Sequence, residues 1–138
     1  MIAFARHSAG AAFLLISSAV LAVPNGQASA GDVKNGEVLY GRCVACHALA
    51  YDRTGPRHCG LLGRKAGTVK GFEYSAAMKR SKLVWSTKTL DAFLASPFKF
   101  VPGTSMGYAG VTDPTERRDL IAYLSEANKS DECKKLSR

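Results

Sequence analysis

The sequence predicts an all-α domain, built of short helices and long loops wrapped around something large that the chain itself does not supply. Three observations carry this. No run alternates apolar and polar residues as a half-buried strand would. Several segments carry helix start and stop residues around an apolar stripe, most clearly "DPTERRDLIAYLSEAN" at 113 to 128. The connections are long and rich in glycine, so helices this short bury little apolar area among themselves and need a staple or an internal ligand.

Taken in order, residues 1 to 30 read as a cleaved secretory signal peptide. Arg6 and His7 make a short positive start, an apolar stretch runs from about residue 11 to residue 23, and Ala28-Ser29-Ala30 matches the small-x-small cleavage pattern. The alternative is a retained anchor, but the apolar stretch is short against the roughly 20 residues of a membrane span. The remaining chain, 31 to 138, is long enough for one small domain. Of the net charge of +8 only Arg6 lies in the leader, which leaves +7 on the rest. That excess serves solubility or an acidic partner surface. The basic residues are scattered, and export argues further against nucleic acid as a partner.

A helix is expected from residue 32 to about residue 45, with Asp32 as N-cap and with Val33, Leu39, Tyr40 and Cys43 on one face. Gly36 is costly there unless another backbone packs close to it. Residues 51 to 71, "YDRTGPRHCGLLGRKAGTVKG", form a long loop of the kind that wraps a ligand or carries function. Short helices are expected at 74 to 81 and at 87 to 97, the second with Thr87 as cap and Pro97 as stop. "FVPGTSMGYAGV" at 100 to 111 returns to loop chemistry. The helix at 113 to 128 has Asp113 as N-cap, Pro114 in the first turn and Glu116 three after the cap. Leu120, Ile121 and Leu124 make its apolar stripe. The polar tail beyond it is expected to be loose.

The stretch "RCVACHAL" at 42 to 49 holds two of the four cysteines. Structural zinc needs four ligands, usually as two pairs. Cys43, Cys46 and His47 have no second pair, and His58 and Cys59 are poorly spaced to make one. A thioredoxin-like redox pair belongs at a helix start after a strand, whereas this pair ends a helix in a chain without strands. Attachment of c-type haem fits each element. Cys43 and Cys46 form the thioethers, His47 ligates the iron, and the covalent group supplies the missing core. Export of four cysteines to an oxidising compartment agrees with covalent use of the pair. For the second axial ligand, Met106 follows Pro102-Gly103-Thr104 in a loop and is preferred. Met78, in a short helix, has the ordinary alternative of core filler. His/Met ligation closes both faces of the iron and raises its reduction potential. One-electron transfer is the chemistry that remains.

The chain resembles the class I cytochromes c, mitochondrial cytochrome c and its bacterial periplasmic relatives, over nearly all of residues 31 to 127. The motifs that carry the resemblance are "GDVKNGE", "CVACH", "TGPRHCGLLGRKAG", "GFEYSAA", Trp85, "TLDAFL", "SPFKFVPGTSM" and "ERRDLIAYL", in family order and spacing. The resemblance implies three to five helices around one haem. Gly36 and Tyr40 should cross Leu120, Tyr123 and Leu124. The carbonyl of Pro56 should accept the free N–H of His47. Arg64, Tyr74 and Trp85 match positions that hold the buried propionates, although a surface arginine and two core aromatics would look the same. Thr104 matches a hydroxyl near the other propionate, and Tyr108 sits over the haem edge.

Departures from the family pattern also matter. Phe93 replaces a tyrosine and Met78 an asparagine, which makes the methionine side more apolar. Phe98 and Ser105 stand where mitochondrial relatives carry lysines, while Lys99, Arg42 and Arg53 remain, so the docking face should be less basic. In relatives the loop around the Cys59 position lies near the end of the C-terminal helix. A Cys59–Cys133 disulfide is therefore expected, against two independent or mispaired thiols. The function implied is a soluble, monomeric periplasmic carrier with one low-spin haem c. It would dock transiently at the haem edge with a dehydrogenase, another cytochrome or a quinol-oxidising complex as donor, and with a terminal oxidase or other acceptor of a respiratory chain. The rivals are a haem peroxidase, which needs an open iron position, and a zinc module.

Overall fold

The computed structural model describes residues 30–136, so the leader reading lies outside the described residues except at Ala30. Six helical segments follow one another: α1 (Val33–Tyr40), α2 (Ala76–Arg80), α3 (Thr87–Ala95), α4 (Pro97–Phe100), α5 (Pro114–Ala127) and α6 (Asp131–Leu136). The described residues contain no strand, only one isolated bridge between Lys65 and Val84.

Local chemistry sets most of the boundaries. The Asp32 side chain accepts from the backbone N–H groups of Lys34 and Asn35 and satisfies two donors that have no partner inside the helix. Asp113 does the same for Thr115 and Glu116 at the start of α5, with Pro114 in the first turn. Glu116 does not reach back to its cap. Its carboxylate takes both Arg42 guanidinium nitrogens, at 2.8 and 3.1 Å. The cap of α3 is Ser86 rather than Thr87, and a reciprocal box with Thr89 closes it. Proline at 97 ends less than expected: α3 stops at Ala95, and Pro97 opens the one-turn α4, because a proline is harmless at a helix start.

Two expectations need correction. The first helix ends at Tyr40, and residues 41 to 46 continue as turns. Its buried face is Gly36, Leu39 and Tyr40, while Val33 is 38% exposed. The tail is not loose where it is described. Asp131–Leu136 is helical and Cys133 is only 1% exposed. Among the described residues the helical segments number six, counting the one-turn α4 and the short α6.

The three longest helices form the frame, α1 packing across α5 and α3 packing beside α5. Gly36 makes the crossing possible. A Cβ there would run into the Asp119 carbonyl and lie 2.8 Å from the Tyr123 Cβ. The contact partner of Gly36 is thus the α5 backbone, with Tyr40 against the Tyr123 ring at 5.2 Å between centroids. Asp119 is 4% exposed and ties the helix ends together, accepting from the Asp32 N–H at 2.9 Å and the Asn35 amide at 2.8 Å. Leu120, Ile121, Leu124, Leu90, Phe93, Leu94, Trp85 and Met78 form the core.

Candidate haem site

The core is not closed. A cavity of about 320 Å³ opens inside it, within the range of ligand sites, roughly 300–1,000 Å³. Leu61, Leu90, Phe93, Leu94, Leu120 and Leu124 give it apolar walls. Cys43, Cys46 and His47 come to it from the turns after α1. Met106 comes from the loop after α4, and Met78 from α2. Pro56, Arg64, Tyr74, Trp85, Thr104 and Tyr108 also line the same cavity. The lining thus gathers residues spread from Tyr40 to Leu124.

The CxxCH segment is shaped by its own backbone. Both Cys46 N–H and His47 N–H donate to the Cys43 carbonyl, at 3.0 and 2.9 Å. This turn leaves the Cys43 thiol half-buried and the Cys46 thiol exposed. Burial pushes the Cys43 thiol's pKa up, opposed by the charge of Arg42.

His47 is held on two sides. Its Nδ1 lies 2.7 Å from the Pro56 carbonyl. A carbonyl only accepts, so Nδ1 carries the hydrogen and the Nε2 lone pair is left for a metal. Burial lowers the pKa of His47, and the Pro56 carbonyl opposes that. The neutral imidazole is the form that ligates. Gly55, whose N–H donates to the Cys46 carbonyl at 2.7 Å, lies close against the ring. A Cβ on Gly55 would meet Cε1 and stand 2.6 and 2.7 Å from the two ring nitrogens.

Sequence reasoning missed His58, which it weighed only as a spare zinc donor. Its ring stacks on His47 with centroids 4.3 Å apart and 20° between planes. Its Nδ1 is 3.1 Å from the Tyr40 hydroxyl. Burial, followed by the positive fields of His47 and Arg64, lowers its pKa to about 3. The available signal was its place in the chain, two residues beyond the Pro56 carbonyl that holds His47.

In the loop after α4, Gly103 turns the chain at φ 88°, a conformation that favours glycine. The Thr104 hydroxyl, in a residue 7% exposed, accepts from the Met106 N–H at 3.3 Å. Arg64 donates to the carbonyls of Cys59 and Arg57, at 2.9 and 3.0 Å. Burial lowers the pKa of Arg64, while burial raises that of Tyr74 beside it. Cys59 and Cys133 do not line the cavity. They form a disulfide with Cα atoms 5.0 Å apart, which anchors α6 to the loop that carries His58.

The donor chemistry fits a flat, covalently held prosthetic group. Two thiols stand at the mouth, an imidazole has a fixed tautomer, and the walls are apolar. Among the described residues no cluster of three or more His, Cys, Asp and Glu could hold a metal ion, which leaves a zinc module without its ligands. No described helix is long and apolar enough to cross a membrane.

A helical wrap of this kind around one apolar cavity, entered by a CxxCH turn, defines a small haem-protein class. No family model matches the chain. Individual relatives do. Cytochrome c of Sesamum indicum is 44% identical over 105 residues, covering 73% of this chain and 95% of that protein. Cytochrome c 2.1 of Caenorhabditis elegans is 45% identical over 98 residues, covering 69% and 88%. Among solved structures, cytochrome cH from Methylobacterium extorquens superposes with a TM-score of 0.68 at 41% identity, covering 70% of this chain and 99% of that one.

The chain belongs to the cytochrome c family. It is accordingly an electron-transfer protein and not an enzyme, and family membership implies a covalently bound haem c.

Proposed function

We propose that the protein is an exported monohaem carrier, released by cleavage after Ala30 and working in the periplasm as the single domain 31 to 138. Cys43 and Cys46 would carry the thioethers, and His47 and Met106 would ligate the iron, in a low-spin state. The observation that carries this reading is the convergence of all four residues on one apolar cavity, with the Nδ1 of His47 committed to the Pro56 carbonyl 2.7 Å away. The bound haem supplies one-electron chemistry between ferric and ferrous iron. The chain would keep that chemistry simple by excluding water with its apolar walls and by supplying His47 and Met106 to the iron, which would leave no iron site for peroxide.

The remaining lining residues serve the propionates and the edge. Arg64, Tyr74 and Trp85 offer donors to one carboxylate, which cannot be buried cheaply without them. Thr104 offers a hydroxyl near the other, and Tyr108 covers the edge. The Arg64 guanidinium also holds the 57 to 59 backbone from beneath. Its cationic field and its loop-bracing role therefore coincide. Redox partners dock transiently at the edge, a dehydrogenase, cytochrome or quinol-oxidising complex on one side and a terminal oxidase or other acceptor of a respiratory chain on the other.

Mass spectrometry of the purified, denatured protein tests the attachment. The expected mass is the chain from Gly31 plus one haem, with Cys43 and Cys46 inert to alkylation. A bare chain mass with both thiols alkylated would overturn the reading.

A further inference from the structure

We propose that His58 is a positioning residue for His47, fixing the plane of the axial imidazole while Pro56 fixes its tautomer. The inference rests on the haem reading above. A single hydrogen bond to Nδ1 pins one atom of the ring and tolerates tilt about that contact. A stacked ring does not tolerate it, because tilting one plane opens the contact on one side and closes it on the other. The stack at 4.3 Å and 20° supplies this second constraint.

His58 is itself braced in a way that a space-filling residue would not need. Its ring Nδ1 meets the Tyr40 hydroxyl at 3.1 Å. Tyr40 in turn stands on the frame of α1 and α5, against Tyr123. The His58 N–H is shared by the carbonyls of Ala48 and Leu49, at 3.0 and 3.1 Å. The next residue, Cys59, donates to Leu49 at 2.7 Å and carries the disulfide to α6. Asn128, the C-cap of α5, then accepts from the N–H groups of Gly60 and Leu61. Five separate attachments thus hold one imidazole against another.

The plane of an axial imidazole orients the half-filled d orbital of low-spin ferric iron, and that orientation distributes the paramagnetic shifts of the haem methyl protons. Proton NMR of the ferric protein therefore reads the proposal directly. His58→Leu keeps the apolar bulk without a flat ring, and His58→Phe keeps the flat ring without Nδ1. The expected result is a redistributed methyl-shift pattern in H58L and a pattern close to that of the unmodified protein in H58F. Identical patterns in the two variants, or a pattern unmoved by leucine, would overturn it. Should H58L fail to fold, methionine, which adapts to irregular space, takes its place in the same comparison. Failure of the haem reading would look different, because the unmodified protein would then show no shifted methyl resonances at all.

Discussion

Gly55 and Asp119 show how much single residues decide here. The Gly55 backbone lies close against the ring of His47, and the ring cannot retreat, because Pro56 and His58 hold it. Gly55→Ala should therefore displace the ligand. The yield of haem-loaded protein per chain should fall by on the order of tenfold, the lower end of what disturbing a ligand's support costs in metal affinity. An unchanged yield would show that the ring swings aside. Asp119 ties Asn35 and the Asp32 N–H, with Arg118 adding a favourable charge, and these contacts hold its pKa below the ordinary carboxylate value. A depressed folded-state pKa contributes stability above the unfolded value, near 3.9, that is lost as pH falls through the folded value. Asp119→Asn should thus flatten the stability profile below about pH 4. Parallel acid-unfolding curves for the two proteins would contradict this. Neither Asp119 nor His58 was legible as a functional group in the sequence. The partners of Asp119 lie 84 and 87 residues away, and no local pattern announces a contact of that range. Cys43, Cys46 and His47 were legible because their chemistry depends on adjacency alone.

Among the elements, α1, α2, α3 and α5 could be read from local signals, with the cap of α3 placed one residue late, whereas α4 and α6 could not. Asp32, Ser75, Ser86 and Asp113 each satisfy backbone donors two or three residues on, a local event with a local signature. The α6 segment has only one such contact, the Ser130 hydroxyl accepting from the Cys133 N–H at 3.3 Å. A disulfide spanning 74 residues and the burial of Cys133 hold it down. Replacing both Cys59 and Cys133 by serine should lower stability by about 2–4 kcal/mol, read as a lower denaturant midpoint. A midpoint unchanged from the unmodified protein would show that the bond is idle. At the crossing of α1 and α5, a methyl group on Gly36 would meet backbone that cannot yield. Gly36→Ala should cost about 1–3 kcal/mol or more, the range for overpacking a tight contact. A neutral result would mean the helices can slide apart.

For the molecule as a whole, the charge of the surface bears on how partners would be met. Phe98 is 51% exposed and Ser105 is exposed, where a basic face would carry charge. Arg42 remains but is spent partly on Glu116, which holds it bidentately. Long-range attraction to an acidic partner is therefore expected to be weak. Its screening length shrinks from about 30 Å at 0.01 M salt to about 8 Å at 0.15 M. Electron transfer to an acidic-faced oxidase should decline only gently over that range, and a steep fall would argue for a stronger basic face than the one described.

The all-α class was legible because its short helices demand an internal ligand. The choice between Met78 and Met106 was less so, since both thioethers reach the cavity wall. The most direct test of the central claim is therefore the absorption spectrum of the reduced protein under carbon monoxide. With His47 and Met106 on the iron, the spectrum stays as it was, Met78→Ala leaves it so, and Met106→Ala opens the site to the gas. Rapid binding by the unmodified protein, or a site opened by Met78→Ala alone, would contradict the account.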